Sequence, residues 1–265
     1  TKNKNPFYIN DFLMACHMQR STYRIYCKEP PMSSTLLDQS LGSIACDIPG
    51  ATRVFHQHRL DFCCGGQKSL REAATRKGLD ANAVASELLA LQACPGLGRD
   101  WRQASASELI DHILSRFHDR HRMQLPELLR LARRVEHVHG DRPECPNGLA
   151  DHLDAMQQEL DSHMLKEEQI LFPLLRQNLH GGVDGPISVM RFEHDQHGEA
   201  LEAINAFTNN ITPPANACNT WRALYRGLSE LHEDLMQHIH LENNVLFARA
   251  TLSATPLSSE ENAHG

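Results

Sequence analysis

Nowhere in the 265 residues is there an apolar run approaching the ~18 that a membrane span requires. A transmembrane reading is therefore excluded. Positive charge is scarce as well: 26 Lys and Arg against 33 Asp and Glu leave a formal net charge of −7 at pH 7, with no basic domain to attract nucleic acid. The one cluster of arginines (116, 120, 122, 130, 133 and 134) falls on a helical pattern and reads as a solvated face. Paired cysteine spacing is missing too. Eight cysteines, at 16, 27, 46, 63, 64, 94, 145 and 218, are scattered, and no basic, apolar, small-residue leader precedes them. That usage favours a reducing, cytoplasmic compartment. No segment shows a convincing strand pattern, so the chain reads as all-α.

What the chain does have is histidine: 17 of them. Histidine is the commonest metal ligand, so their placement matters. Residues 1–31 show neither helical nor strand period and are expected to be a disordered extension, or an artefact of an upstream start ahead of Met32. From 34 to 92 come short helical patterns, with Pro49 placed to open one helix, Gly78 to close another and Asp80 to cap "ANAVASELLALQ". This reads as a small helical domain. Residues 93–104 lose periodicity and gather Pro and Gly, as a linker would.

Ser105 followed three residues later by Glu108 is the spacing of a capping box, so a second domain is expected over 105–250, ahead of a disordered tail at 251–265. Breaks at "HGDRPECPNG", "HGGVDGP" and "TNNITPPANA" divide it into helices at about 106–138, 148–179, 186–208 and 217–250. A four-helix bundle is the economical architecture, with Pro126 expected to kink its first helix.

Two stretches of that bundle match. "HMLKEEQILF" from His163 and "HIHLENNVLF" from His238 share H-x3-E-x3-L-F, and "RFHDRH" with His118 pairs with "RFEHDQH" with His194. The bundle looks like one helical hairpin written twice. On the second helix, Leu153, Met156, Leu160, His163, Glu167, Ile170 and Leu174 form the inward stripe. On the fourth, Leu224, Leu228, Leu231, Leu235, His238, Glu242, Val245 and Arg249 do the same. Two His–Glu pairs thus face each other inside the bundle.

A buried ionised carboxylate costs several kcal/mol unless it is paired or bound to metal. No Lys or Arg on the second stripe, and only the terminal Arg249 on the fourth, offers a partner, so a cation is expected. The first and third helices add imidazoles, through Phe117, His121, Leu125 and Leu128 and through Met190, His194, His197, Leu201 and Ile204. Four histidines and two glutamates exceed the ligand count of a closed zinc site, which points to two metals sharing both carboxylates. Periodicity does not separate His118 from His121 or His194 from His197, since either member of each pair can face inward.

With these residues in view, the chain resembles the hemerythrin-like iron–sulfur cluster repair proteins of the ScdA/YtfE type, also called RIC proteins. The resemblance covers about 36 to 250 and rests on "DFCCGG", "FHDRHR", "SHMLKEEQILFP", "GPISVM", "EHDQHGE" and "HIHLENNVLF", in that order. It implies a hemerythrin-like up-down bundle carrying two carboxylate-bridged, non-haem iron ions. The implied ligands are His118, His163, Glu167, His194, His238 and Glu242, the glutamates bridging. Oxygen-carrying hemerythrins place an H-x3-H pair on the third helix; its absence here disfavours oxygen storage.

The resemblance further implies a cytoplasmic stress protein that restores iron–sulfur clusters damaged by nitrosative or oxidative stress. It would supply iron, bind or convert nitric oxide, or both; whether it is an enzyme stays open. Its partners would be damaged iron–sulfur proteins and nitric oxide, with no nucleic acid and no membrane, and a homodimer is left open. The alternative is an oxygen- or redox-sensing hemerythrin-like module. Cys63 and Cys64 are candidate reactive thiols, with burial before a Gly–Gly turn as their structural alternative. Because all the expected ligands follow Ser105, the bundle is expected to fold and hold metal without the segment that carries the thiols.

Overall fold

The computed structural model describes residues 33–92, 99–177 and 182–252. The expected extension at 1–31, the first part of the linker (93–98) and residues 253–265 of the expected tail lie outside the described residues. Five short helices come first: α1 (Ser33–Asp38), α2 (Leu41–Asp47), α3 (Ala51–Gln57), α4 (Leu70–Arg76) and α5 (Ala81–Gln92). Their ends follow the local chemistry. Ser40 and Ser69 cap α2 and α4 by accepting from Ser43 and Glu72 N–H, Asp80 accepts from Asn82 N–H at the head of α5, and Gly78, at φ 67°, turns the chain after α4.

Four long helices come next: α6 (106–139), α7 (149–176), α8 (Asp184–Phe207) and α9 (219–252). The Ser105–Glu108 capping box starts α6. Each neighbours the next and α9 returns to α6, closing the bundle. The α-helix runs unbroken through Pro126, from Asp119 to His139. The irregularity lies elsewhere. Three of the four helices contain a π-turn: Leu114–His118 in α6, Glu167–Leu171 in α7 and Glu242–Leu246 in α9, each closed by a hydrogen bond to the carbonyl five residues back.

Such a turn inserts one residue and rotates the rest of the helix by about 100°. The expected stripe on α7 therefore holds only as far as Glu167. Beyond it Ile170 is 54% exposed, and Leu171, Phe172 and Leu175 take the core face. On α9 the same shift buries Leu246, Phe247 and Ala250. Arg249 is left to donate to the carbonyls of Trp101 and Ala104. The described part of the expected linker is thus an ordered 3-10 turn, Trp101–Gln103, pinned to the bundle. Thr251 and Leu252, expected in the tail, continue α9.

The apolar interior falls into two clusters. One is built from Leu109, Ile113, Phe117, Phe172, Ile187, Leu246, Phe247 and their neighbours; the other, larger one contains Leu125, Leu153, Leu160, Leu201, Trp221 and Leu228. His118, His163, Glu167, His194, His238 and Glu242 fall between them. The larger cluster also contains Leu41, Ile44, Phe55, Phe62, Leu70 and Leu88 from α1–α5 and the loops between them, so the N-terminal helices share one core with the bundle. This departs from the expectation of an independent bundle. Helices of six to twelve residues bury too little surface among themselves, and α2 and α3 complete their burial against α9.

Phe62 is central to that junction: 1% exposed, its ring 5.7 Å from that of Phe55 and 5.5 Å from that of His240. Phe62→Ala is expected to cost about 3–5 kcal/mol in a denaturant titration and to lower a single, shared transition rather than splitting it. Loss of only a minor early phase would show the two parts to be uncoupled. At the same junction His232 is buried, and burial first, then the nearby His56, pushes its pKa down to about 4. The folded protein thus resists protonation that the unfolded chain accepts. Stability contributed by neutral His232 is complete above the ordinary histidine pKa of ~6.5 and is lost as pH falls toward 4. Melting temperature should fall over that window, and less steeply in His232→Phe.

Candidate metal centre

Each bundle helix brings its polar residues to the same level. His118 comes from α6, His163 and Glu167 from α7, His194 from α8, and His238 and Glu242 from α9; all six are buried, at 0–1% exposure. The i,i+4 spacing sets each His over its Glu on one helix face. The imidazoles meet in pairs across the bundle. His118 Nε2 lies 3.2 Å from His238 Nε2, and His163 Nε2 lies 3.2 Å from His194 Nε2.

The glutamates lie between the pairs. Glu167 Oε2 is 3.4 Å from His118 Nε2 and 3.5 Å from His163 Nε2; Glu242 presents Oε1 to His238 at 3.2 Å and Oε2 to His194 at 3.0 Å. Two four-residue sets result, His118–His238 and His163–His194, each with both glutamates. Within each set all ligand atoms lie within 4.8 Å of one another.

The outer ring nitrogens determine what the inner ones can do. His118 Nδ1 contacts Glu168 at 2.8 Å, His163 Nδ1 contacts Glu193 at 2.9 Å, and His194 Nδ1 contacts the Asn243 side-chain oxygen at 2.9 Å. Each of these acceptors holds a proton on Nδ1, which leaves the Nε2 lone pair directed inward. Between His163 and His194 two such lone pairs face each other and have no hydrogen to share. Both oxygens of Glu167 and one of Glu242 also lack a donor. A cation satisfies all of these atoms at once, so the residues present fit a metal pair.

The electrostatics agree. Burial, then the charge of Glu242, pushes the Glu167 carboxyl well above its usual range. For Glu242, burial acts upward, but the His238 and His194 imidazoles prevail and hold it low. Burial, then His238, pushes the His118 pKa down to about 2. Burial likewise lowers His163 to about 4, with the Glu193 contact acting in the opposite sense. Both rings stay neutral, as metal ligands must.

His121 and His197 are also buried, but they stand outside both sets and none of their ring nitrogens has a hydrogen-bond partner. His121 lies against Phe117 and His238, and His197 against the His163 ring at 5.0 Å. Periodicity left each pair open; the geometry brings His118 and His194 together with the glutamates. Sequence reasoning missed Glu168, Glu193 and Asn243. Each is adjacent in sequence to one of the six inward residues, and that adjacency is the signal by which it could have been found.

The candidate thiols are not remote from this layer. Both are free, Cys63 buried and Cys64 half-buried. Cys64 Sγ lies 3.1 Å from the His194 carbonyl oxygen, and Asn243 Nδ2 donates to the Cys63 carbonyl at 3.5 Å. The Cys63 thiol is held well above its ordinary pKa by Cys64, then by burial.

Comparison with known proteins bears on the same residues. Residues 109–250 match the hemerythrin HHE cation binding domain, and residues 37–92 match a domain of unknown function, DUF542. Proteins named iron–sulfur cluster repair protein YtfE, from Dickeya chrysanthemi and from strains of Yersinia pseudotuberculosis and Yersinia pestis, are each 54% identical over 213 residues. The aligned region spans 80% of this chain and 96% of each relative. A bundle whose two histidine pairs share two buried glutamates is what a cation-binding domain of this kind needs, and the chain belongs to the hemerythrin HHE cation-binding family, beside the YtfE proteins.

Proposed function

We propose that this chain holds two iron ions and repairs iron–sulfur clusters damaged by nitrosative or oxidative stress; cluster repair is what the relatives are named for. His118 and His238 would hold one iron, His163 and His194 the other, and Glu167 and Glu242 would be shared. The sharing of both glutamates by both histidine pairs carries this reading. Two imidazoles and the shared carboxylates would give each iron few protein ligands, so that a small molecule could bind beside them. Iron bound there supplies a redox-active, exchangeable cation able to take nitric oxide as a ligand.

The protein's own groups do the rest. Glu168, Glu193 and Asn243 fix the imidazoles by their Nδ1 protons. The apolar clusters above and below exclude bulk water. Free thiols at every described cysteine suit a reducing, cytoplasmic setting, and no helix among the described residues is long and apolar enough to cross a membrane. The partners would be damaged iron–sulfur proteins. An oxygen- or redox-sensing module is not favoured, because the relatives are named for repair.

Glu167→Leu is expected to lose at least one of two irons per chain and with it the recovery of a nitric-oxide-inactivated iron–sulfur dehydratase. Two retained irons with an unchanged absorption spectrum would overturn the assignment. Stability of the iron-free form should hold or rise, since an aliphatic side chain replaces a buried, poorly compensated carboxylate. The outer contacts yield a graded series. His194→Ala should abolish one site, whereas Glu193→Gln should weaken iron affinity by about 10- to 100-fold, read by competition with a chelator. His197→Ala should cost less iron than His194→Ala; the opposite order would exchange their roles.

A further inference from the structure

The turn 61–66 carries a second group of ligating atoms, outside the bundle. Asp61 Oδ1 accepts from Cys63 N–H at 3.1 Å and from Cys64 N–H at 3.0 Å, and Oδ2 accepts from Gly65 N–H at 2.8 Å. In an extended strand adjacent side chains point to opposite faces. Here the carboxylate winds the backbone so that both thiols emerge on one side, with Sγ–Sγ at 3.6 Å and Cys63 Sγ to Asp61 Oδ1 at 3.4 Å. Gly66 locks the turn: its carbonyl accepts from Gly42 N–H at 2.8 Å, and a Cβ there would meet the Phe62 carbonyl oxygen at 2.4 Å.

These separations suit a cation and not a disulfide. A disulfide needs about 2.05 Å between the sulfurs, and closing it across adjacent residues strains the intervening peptide. Two sulfurs bound at ~2.3 Å in tetrahedral geometry stand ~3.8 Å apart, and a sulfur and an oxygen bound at ~2.0 Å stand ~3.5 Å apart. The ligand atoms of Asp61, Cys63 and Cys64 lie within 4.8 Å of one another. They line a cleft of about 540 Å³ whose far wall, from α8, includes Asp195, Glu199 and Glu202. Arg59 and Lys68 line the same cleft, so its four carboxylates outnumber its cationic side chains by two and the case for a cation rests on the sulfur and oxygen geometry.

We propose that Asp61, Cys63 and Cys64 form a third cation site, which takes a thiophilic divalent ion with one position open to the cleft. Resting on the iron-handling reading above, its natural cargo is ferrous iron in transit between the cleft and the His163–His194 pair. Binding displaces the two thiol protons to solvent and changes no oxidation state. The site is coupled to that pair: Cys64 Sγ touches the His194 carbonyl, and Asn243 joins the Cys63 carbonyl to His194 Nδ1. The open fourth position suits exchange, whereas a closed four-ligand set would retain its ion.

The test uses the full chain with its resident metals in place and cadmium as the probe, followed by equilibrium dialysis and by the sulfur-to-cadmium charge-transfer band. One cadmium per chain beyond the resident metals is expected. Its affinity should fall at least tenfold in Cys63→Ser and in Cys64→Ser, and be unchanged in Cys46→Ser. Thermal melts of the serine variants identify any that are misfolded, and Cys64→Ala at the half-buried position supplies a second route to the same loss. No additional cadmium, or additional cadmium that survives in the double Cys63→Ser, Cys64→Ser variant, would overturn the proposal and leave the cysteines a packing role. Iron counted in the same wild-type sample separates the two readings: absence of two irons would defeat the bundle assignment without touching the cadmium result.

Discussion

Two carboxylates buried at the centre of a helical bundle set the terms for the rest of this structure. Removing a carboxylate from water costs several kcal/mol even after relaxation, and two such charges side by side repel one another. Glu167 and Glu242 are both fully buried, and the ion pairs they make among the described residues are with histidine. Imidazole lone pairs turned inward add to the demand for positive charge. The donor set of the layer fits cations, and the features around it are outer acceptors on three Nδ1 atoms, apolar clusters on both sides, and π-turns at His118, Glu167 and Glu242.

The π-turns show where sequence pattern stops being a guide. The hairpin repeat, the capping box, the four helices and the inward His–Glu pairs were all legible, because each follows from local chemistry or from a 3.6-residue period. A π-turn leaves no compositional mark and shows only as a shift in which residues are buried, so Ile170 looked like core and is exposed while Leu171 is buried. His118 and His121 could not be separated for a related reason. Positions three apart share a helix face, and only the location of the opposing glutamates distinguishes them.

The junction between the N-terminal helices and the bundle was also illegible. Short helices separated from a bundle by a Pro- and Gly-rich stretch read as an autonomous unit, yet Phe55, Phe62, Leu70 and Leu88 belong to the same core as Leu153 and Leu228. Contacts between elements distant in sequence have no local signature. Here they place the 61–66 turn against α8 and α9, so that Cys64 and Asn243 both reach His194. The thiols and the histidine–glutamate layer thus form one connected polar system spanning both matched domains, which gives a physical reason for the two to occur in one chain.

Two irons held between the shared glutamates would show directly in the metal content of the protein. Metal analysis of the wild-type chain expressed in iron-replete medium, read together with its near-ultraviolet and visible spectrum, tests that arrangement most directly. Two irons per chain and the absorption of a diferric centre are expected. Two zinc ions per chain with a featureless spectrum would contradict that arrangement.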